Sequence, residues 1–338
     1  MRAVTRRRMK TFASNRRAWI SLWIFMTLFT ASIFSEFIAN ERPLVLYFQD
    51  RMYFPVFSEI PETLLGGYFE TDADFTDPAV IAMAEAHGWM LWPPVRFSWH
   101  TVNLAREGVY PAAPGAGNWL GTDDHGRDIL ARLLYGFRVS VLFGLCLAVF
   151  STLVGIVAGA VQGYFGGKVD LFGQRFMEIW SGLPMIYLLI ILSSFMQPGF
   201  FVLLFIMLLF SWMGMVDVVR AEVLRCRNLG YVKAARCMGL PDRVVLFRHV
   251  LPNAMVATLT FLPFVLNGAI TTLTSLDFLG FGLPPGSPSL GELLAQGKEN
   301  LDAPWIGIAA FAVLASMLSL LVFIGEGVRD AFDPRHEG

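Results

Sequence analysis

Charged residues are scarce in this sequence: 26 Lys and Arg and 27 Asp and Glu make up 16% of its 338 residues. A soluble globular domain carries about 25%, so an ordinary soluble globule is excluded. The net charge of -1 supplies no global field for nucleic acid, and low charge with high apolar content is the reverse of a disordered composition. Cysteine is almost missing as well. Cys146, Cys226 and Cys237 show no C-x-x-C spacing, which argues against a disulfide framework and leaves free thiols. His87, His100, His125, His249 and His336 are scattered, and no Ser-His-Asp or paired-carboxylate arrangement is legible, so enzyme activity is not expected.

A nucleotide-binding loop is missing too. Gly163-Tyr164-Phe165-Gly166-Gly167-Lys168 superficially resembles a phosphate loop, but Gln162 and Val169 stand where that loop needs Gly and Ser or Thr, and no strand precedes it. The chain cannot be its own ATPase.

What the sequence does hold is 55% apolar residues, 14% aromatics and 31 glycines. Crossing a bilayer as a helix takes roughly 20 apolar residues. Six runs qualify, at about 18–39, 139–162, 176–196, 199–219, 254–275 and 304–325. Arg2, Arg6, Arg7, Arg8, Lys10, Arg16 and Arg17 precede the first run, whose length exceeds a signal-peptide core and which lacks a small-residue cleavage pattern. An uncleaved first span with its basic tail, residues 1–17, in the cytoplasm is expected. Residues 40–128 then hold 13 acidic and five basic residues, whereas 220–248 hold seven basic residues and only Glu222 and Asp242. Six spans place the first segment outside and the second inside, as the Lys/Arg bias requires. Both termini, including the tail 327–338, are then cytoplasmic. Arg127, Arg132 and Arg138 fall on the outer side, where an interfacial helix would turn them toward lipid headgroups.

The expected organisation is an all-α integral membrane protein: a first span over 18–39, an extracytoplasmic insertion over 40–127, and a core of five further spans over 128–326. The insertion mixes acids and prolines with Tyr47, Phe48, Tyr53, Phe54, Tyr68, Phe69, Phe75, Trp89, Trp92, Phe97 and Trp99. So many aromatics argue for a small folded cap, serving as a lid on the membrane domain or as a docking surface for a soluble partner. In the loop 220–253, residues 231–238 look helical, Gly239 and Pro241 break the chain, and 242–250 resume a short helix before Pro252. Two short helices would project from the membrane, with a small-residue knuckle of Ala234, Ala235 and Gly239 suited to a groove in another protein.

Two further features have competing explanations. Asp123, Asp124 and His125 are possible metal ligands, but adjacent residues do not converge on one ion in regular backbone, and a tight turn with Asp123 or Asp128 capping the next helix is preferred. No metal is expected. The fifth run carries Thr258, Thr260, Asn267, Thr271, Thr272, Thr274 and Ser275. Such side chains bond to their own helix or join helices; alternatively Asn267, Thr271 and Thr274 line a path for a solute with a polar backbone.

Three motifs carry a family resemblance. Lys233-Ala234-Ala235, three residues, Gly239, nine residues, His249, one residue and Leu251-Pro252 resemble the "EAA" loop of ATP-binding-cassette importer permeases. Lys233 stands where Glu is usual, so a salt bridge from that acid is not carried over, and His249 stands where Ile is usual. Asn118-Trp119-Leu120-Gly121-Thr122-Asp123-Asp124-His125-Gly126-Arg127-Asp128 is similar to the N-x-L-G-T-D-x-x-G-R-D signature of dipeptide and oligopeptide permeases. Phe278-Leu279-Gly280-Phe281-Gly282 with the Pro-rich stretch to Leu290-Gly291 resembles the outer loop of the second, C-type permease of such importers. The resemblance covers about residues 105–332, and its wording is nearest the branch that takes up microcin C and oligopeptides in Gram-negative inner membranes.

That resemblance implies a MetI-like fold, no cofactor in this chain, and ATP with Mg on separate ATPase subunits. It implies as partners a homologous permease in a heterodimer, the ATPases, a periplasmic substrate-binding protein, a peptide substrate and the bilayer, with no nucleic acid. Lys233, Ala234, Ala235, Gly239, Leu251 and Pro252 would form the ATPase coupling element, and Gly121, Thr122, Asp123, Gly126, Arg127 and Asp128 the periplasmic signature turn. A related importer for nickel or dipeptides, a secondary transporter and a membrane-anchored receptor are the alternatives.

Overall fold

Where the sequence is apolar and free of breakers the chain is helical, and the computed structural model describes residues 2–103, 109–193, 195 and 199–332. Residues 104–108 of the insertion, 194 and 196–198 around the end of the third run, and 333–338 of the C-terminal tail, with His336, lie outside the described residues. Among the described residues four helices are long and apolar enough to cross a membrane: Ile129–Phe165, Phe200–Cys226, Asp242–Phe278 and Pro304–Phe332. Gly167–Ser181 and Met185–Leu192, bent by 57° at their junction, make a fifth if they are one broken span.

That is fewer than the six runs read from the sequence, for two local reasons. In the third run Gly182 and Pro184 interrupt the helix, because proline lacks the N–H and disfavours helical backbone in the residue before it. The first run forms Arg16–Ile33, 18 residues long, which includes Arg16 and Arg17 and ends at Phe34 before the four-residue helix Ser35–Ile38.

The chain forms two compact units from discontinuous segments, Met1–Met26 with Ser140–Pro284 and Ala315–Gly338, and Thr27–Val139 with Pro285–Leu314. In the first unit helices approach through glycine. Gly155, Gly159 and Gly163 recur every fourth residue along Ile129–Phe165, and a Cβ there would lie 2.6 Å from Met215 Cβ, 2.7 Å from the Val216 carbonyl oxygen and 2.8 Å from the Arg220 carbonyl oxygen. Lipid gives packed helices no hydrophobic drive toward each other, so close backbone approach through small residues supplies the dispersion contact instead. Two cores flank the contact. One gathers Ile156, Ala160, Val219, Val223, Val232, Ala235, Val245 and Val250, the other Phe143, Leu147, Leu189, Leu203, Met207 and Leu273.

The second unit departs from the all-α expectation, because the insertion contains a small antiparallel sheet. Strands β1 (Val45–Phe48), β2 (Arg51–Tyr53) and β3 (Gly88–Leu91) pair in the order β2-β1-β3. Alternation explains β1, whose Leu46 and Phe48 point inward while Val45 and Tyr47 do not. Gln49 and Asp50, both at positive φ (48° and 61°), make the two-residue turn that matches the twist of a hairpin. Helix Pro78–Ala86 begins with proline and is capped by Asp77, which accepts the Ala79 N–H at 2.8 Å. Leu46, Phe48, Ile60, Leu65, Phe75 and Val80 form the core between these elements.

Placing a branched side chain in the glycine contact should separate the helices, since backbone atoms there cannot yield. Gly159→Val is expected to lose at least the roughly 1–3 kcal/mol of an overpacked core, read as a lower thermal midpoint of the detergent-solubilised protein. Gly268→Ala, where an added Cβ meets nothing within 4 Å and alanine is the better helix former, should not lower the midpoint.

Candidate functional site: signature turn, coupling hairpin and polar helix

The signature motif folds as a buried turn. Gly121 and Gly126 take positive φ (82° and 81°), which costs a glycine nothing. Between them Asp123, with no exposed surface, accepts four hydrogen bonds. Oδ1 takes the backbone N–H groups of His125 at 3.0 Å and Arg127 at 2.8 Å. Oδ2 takes Arg127 Nε at 2.7 Å and Arg132 Nη1 at 3.0 Å. Asp128 caps the helix Ile129–Phe165 by accepting the Ala131 N–H at 2.8 Å, and its other oxygen takes the Asn118 amide at 2.8 Å. Burial pushes the Asp128 carboxyl above the usual range, and the hydrogen bonds from Ala131, Asn118 and Leu130 oppose that rise. The Thr122 hydroxyl accepts the Ala112 N–H at 2.8 Å.

Arg132 is fully buried and Arg127 nearly so, which corrects the expectation that they face lipid headgroups. The physical reason is Glu292, missed in the sequence because it lies 160 residues downstream of Arg132 and 165 downstream of Arg127. Glu292 pairs with Arg132 at 3.2 Å and Arg127 at 3.4 Å, and Arg132 Nη2 also donates to the Ser287 carbonyl at 3.0 Å. The turn thus clamps the start of helix Leu290–Glu299, whose N-cap Ser289 accepts the Gly291 and Glu292 N–H groups. Arg138 instead meets Glu36 at 2.7 Å.

Because the turn is irregular, ligand atoms of Asp123, Asp124 and His125 do come within 4.8 Å of one another. The regular-backbone argument against convergence therefore does not apply here. Asp123 nevertheless spends its lone pairs on Arg127, Arg132 and two backbone donors.

In the hairpin, helix Gly230–Cys237 ends on Gly239 at φ 78°. Leu240 N–H returns to the Ala235 carbonyl at 3.3 Å and Gly239 N–H to Arg236 at 2.9 Å, the glycine-terminated stop of a helix. The second short helix does not stop before Pro252. Asp242–Val244 and the π-turn Val245–Val250 run without interruption into Leu251–Phe278. The wide π-turn just ahead of Pro252 accommodates its ring and missing N–H, which would otherwise break the helix.

Lys233, Ala234, Gly239 and Pro252 are exposed, Leu251 is half-buried, and Ala235 is buried in the core. Met238 (74% exposed) and Phe247 (65%) add uncovered apolar surface. Residues outside the motif brace the hairpin. Tyr164 Oη donates to Asp242 at 2.6 Å, Arg236 lies over the Tyr164 ring, and Arg227 donates to the Gly163 carbonyl at 2.9 Å. Asn253 Nδ2 donates to the His249 carbonyl at 2.9 Å and to Tyr231 Oη at 2.8 Å.

On Leu251–Phe278 the hydroxyls bond to their own helix. Thr271 donates to the Asn267 carbonyl, Thr272 to Gly268 and Thr274 to Ile270, each at 2.9 Å, and Ser275 to Thr271 at 2.8 Å. The three candidate path residues do not share one environment: Thr271 is exposed, Asn267 half-buried and Thr274 buried. Gly268, Thr271, Thr272 and Ser275 form the exposed small and polar stripe.

Removing one partner from a buried ion cluster leaves the other uncompensated. Asp123→Asn is therefore expected to destabilise by about 3–5 kcal/mol, seen as a lower thermal midpoint and poor recovery from membranes. His125→Ala, at an exposed side chain of the same turn, should change stability by less than about 0.5 kcal/mol.

Comparison with known proteins identifies the family. Residues 133–338 match the family described as "Binding-protein-dependent transport system inner membrane component". The chain is 57% identical to "Inner membrane ABC transporter permease protein YejE" of Escherichia coli K12, covering 98% of this chain and 97% of that one. It is 53% identical to "Peptidoglycan transport system permease protein YejE" of Agrobacterium fabrum, over 98% and 93%. "Oligopeptide transport system permease protein OppC" of Haemophilus influenzae is 34% identical over 64% of this chain. These matches make the chain a member of the binding-protein-dependent transport system inner membrane component family, an ATP-binding-cassette importer permease and not itself an enzyme.

Proposed function

We propose that this permease imports peptides as one half of a heterodimer with a homologous permease. In this reading the chain has six spans, with Arg16–Ile33 and Ser35–Ile38 as the first and the bent pair at Gly182–Pro184 as the third. Both termini and the hairpin then face the cytoplasm, where two ATPase subunits hold ATP and Mg, and a soluble binding protein delivers substrate on the other side. The relatives' names, oligopeptide and peptidoglycan transport system permeases, support a peptide-containing cargo.

The observation that carries the reading is the hairpin itself, with Lys233, Ala234, Gly239, Met238 and Phe247 uncovered on a frame anchored by Tyr164, Asp242 and Arg227. A braced element with an uncovered tip transmits motion. ATP binding closes the ATPase pair, the hairpin moves with it, and the two permease halves exchange inward-facing and outward-facing states. Asn267, Thr271 and Thr274 belong to the helix we assign to the path. Thr271 and its neighbours Thr272 and Ser275 offer polar atoms to a peptide backbone without selecting a side chain.

Ala234→Trp tests the coupling surface better than a change at Gly239, whose positive φ would strain any substitute. The variant should keep its thermal midpoint and lose at least about tenfold in co-purified ATPase, ~1.4 kcal/mol, together with ATP-dependent peptide uptake in proteoliposomes. Wild-type uptake by that variant would refute the coupling role. For the path, Thr271→Leu in the assembled complex should slow uptake while ATPase recovery stays normal; unchanged transport would remove Thr271 from it.

A further inference from the structure

From Val139 to Gly167 the sequence holds no charged residue, and 27 of these positions belong to the helix Ile129–Phe165. At 1.5 Å per residue that stretch is about 40 Å long, enough to cross the hydrocarbon core of roughly 30 Å and reach into the headgroups. Arg138, the residue just before it, therefore marks the level of one membrane interface.

Glu36 is fixed at that level. Arg138 Nη1 donates to its carboxylate at 2.7 and 3.0 Å and to the Ile33 carbonyl at 3.4 Å. Phe34 and Phe37 flank Glu36 and are in ring contact at 6.1 Å, and Phe37 meets Phe57 of the insertion at 5.7 Å. These three rings remain 52%, 39% and 74% exposed, and Phe54 beside them in sequence 47%. The segment Phe54-Pro55-Val56-Phe57 carries no charged or hydrogen-bonding side chain. It is preformed: the N–H groups of Phe57 and Ser58 donate to the Phe54 carbonyl at 2.9 and 3.1 Å, and Arg42, paired with Asp72, donates to the Pro55 carbonyl at 3.3 Å.

We infer that Phe54 and Phe57 form a lipid-binding foot, by which the insertion rests on the bilayer surface with Phe34 and Phe37 continuing the same apolar patch. Phenylalanine, tryptophan and leucine on the apolar face of an interfacial segment seat about 5–10 Å into the boundary between headgroups and acyl chains, and a preformed turn loses little entropy on seating there. A soluble protein would have to reach the same rings at headgroup depth, and the homologous permease, which lies at that depth, would meet a loop that offers it no side-chain hydrogen bond. Lipid is the occupant that chemistry and level select.

The test is photocrosslinking of the full chain in nanodiscs of phosphatidylethanolamine and phosphatidylglycerol. A p-benzoylphenylalanine is placed at Phe57, or at Glu85 on the exposed side of helix Pro78–Ala86 as the control. Both sites are exposed, so neither replacement disturbs the core. Phospholipid adducts, read by mass spectrometry, should form at position 57 several-fold more strongly than at 85. Absence of lipid adducts at 57, equal yields at the two sites, or crosslinks from 57 to polypeptide in the assembled transporter would each overturn the proposal.

Discussion

Burial away from water withholds hydrogen bonds, and that constraint shapes the polar chemistry of this chain. A charge or backbone group removed from water must find its partner inside the protein. Arg132 is the strongest case, with no exposed surface and two carboxylates, Asp123 and Glu292, within 3.2 Å. Around that pair the signature turn closes, with Asp123 also gathering the backbone of residues 125 and 127. The same rule accounts for the threonines of Leu251–Phe278, whose hydroxyls bond to carbonyls of their own helix.

The sequence made the membrane character, the apolar helices and the three motifs legible, because periodicity, charge bias and spacing are local properties. It was silent where partners lie far apart. Glu292 completes the ion cluster from 160 residues downstream of Arg132, and Tyr164 braces Asp242 across 78 residues. Arg127 and Arg132 read as surface cations for that reason. The small sheet escaped notice because its strands are three or four residues long, too short for alternation to stand out among scattered aromatics. A signal for the glycine contact was present in Gly155, Gly159 and Gly163, whose four-residue spacing marks a packing face.

Boundaries failed where proline was read as a stop. Pro184 does bend its segment, but Pro252 sits in the first turn of a continuing helix behind a π-turn. The difference is local, since the π-turn Val245–Val250 widens the backbone just ahead of Pro252 and accommodates its ring and missing N–H. The consequence reaches the function. With no break at Pro252, the second arm of the hairpin is the beginning of the long helix that carries Thr271, so in the proposed coupling movement at the tip reaches that helix directly.

Cys237, the last residue of helix Gly230–Cys237 and an exposed thiol, offers a direct reading of the central claim, that this hairpin is the surface held by the ATPase. Its rate of reaction with a maleimide can be followed in the isolated permease and in the assembled transporter, with buried Cys226 and half-buried Cys146 as internal references. The account predicts that assembly slows labelling of Cys237 and that stripping the ATPase subunits restores it. Equal labelling in both states would contradict it.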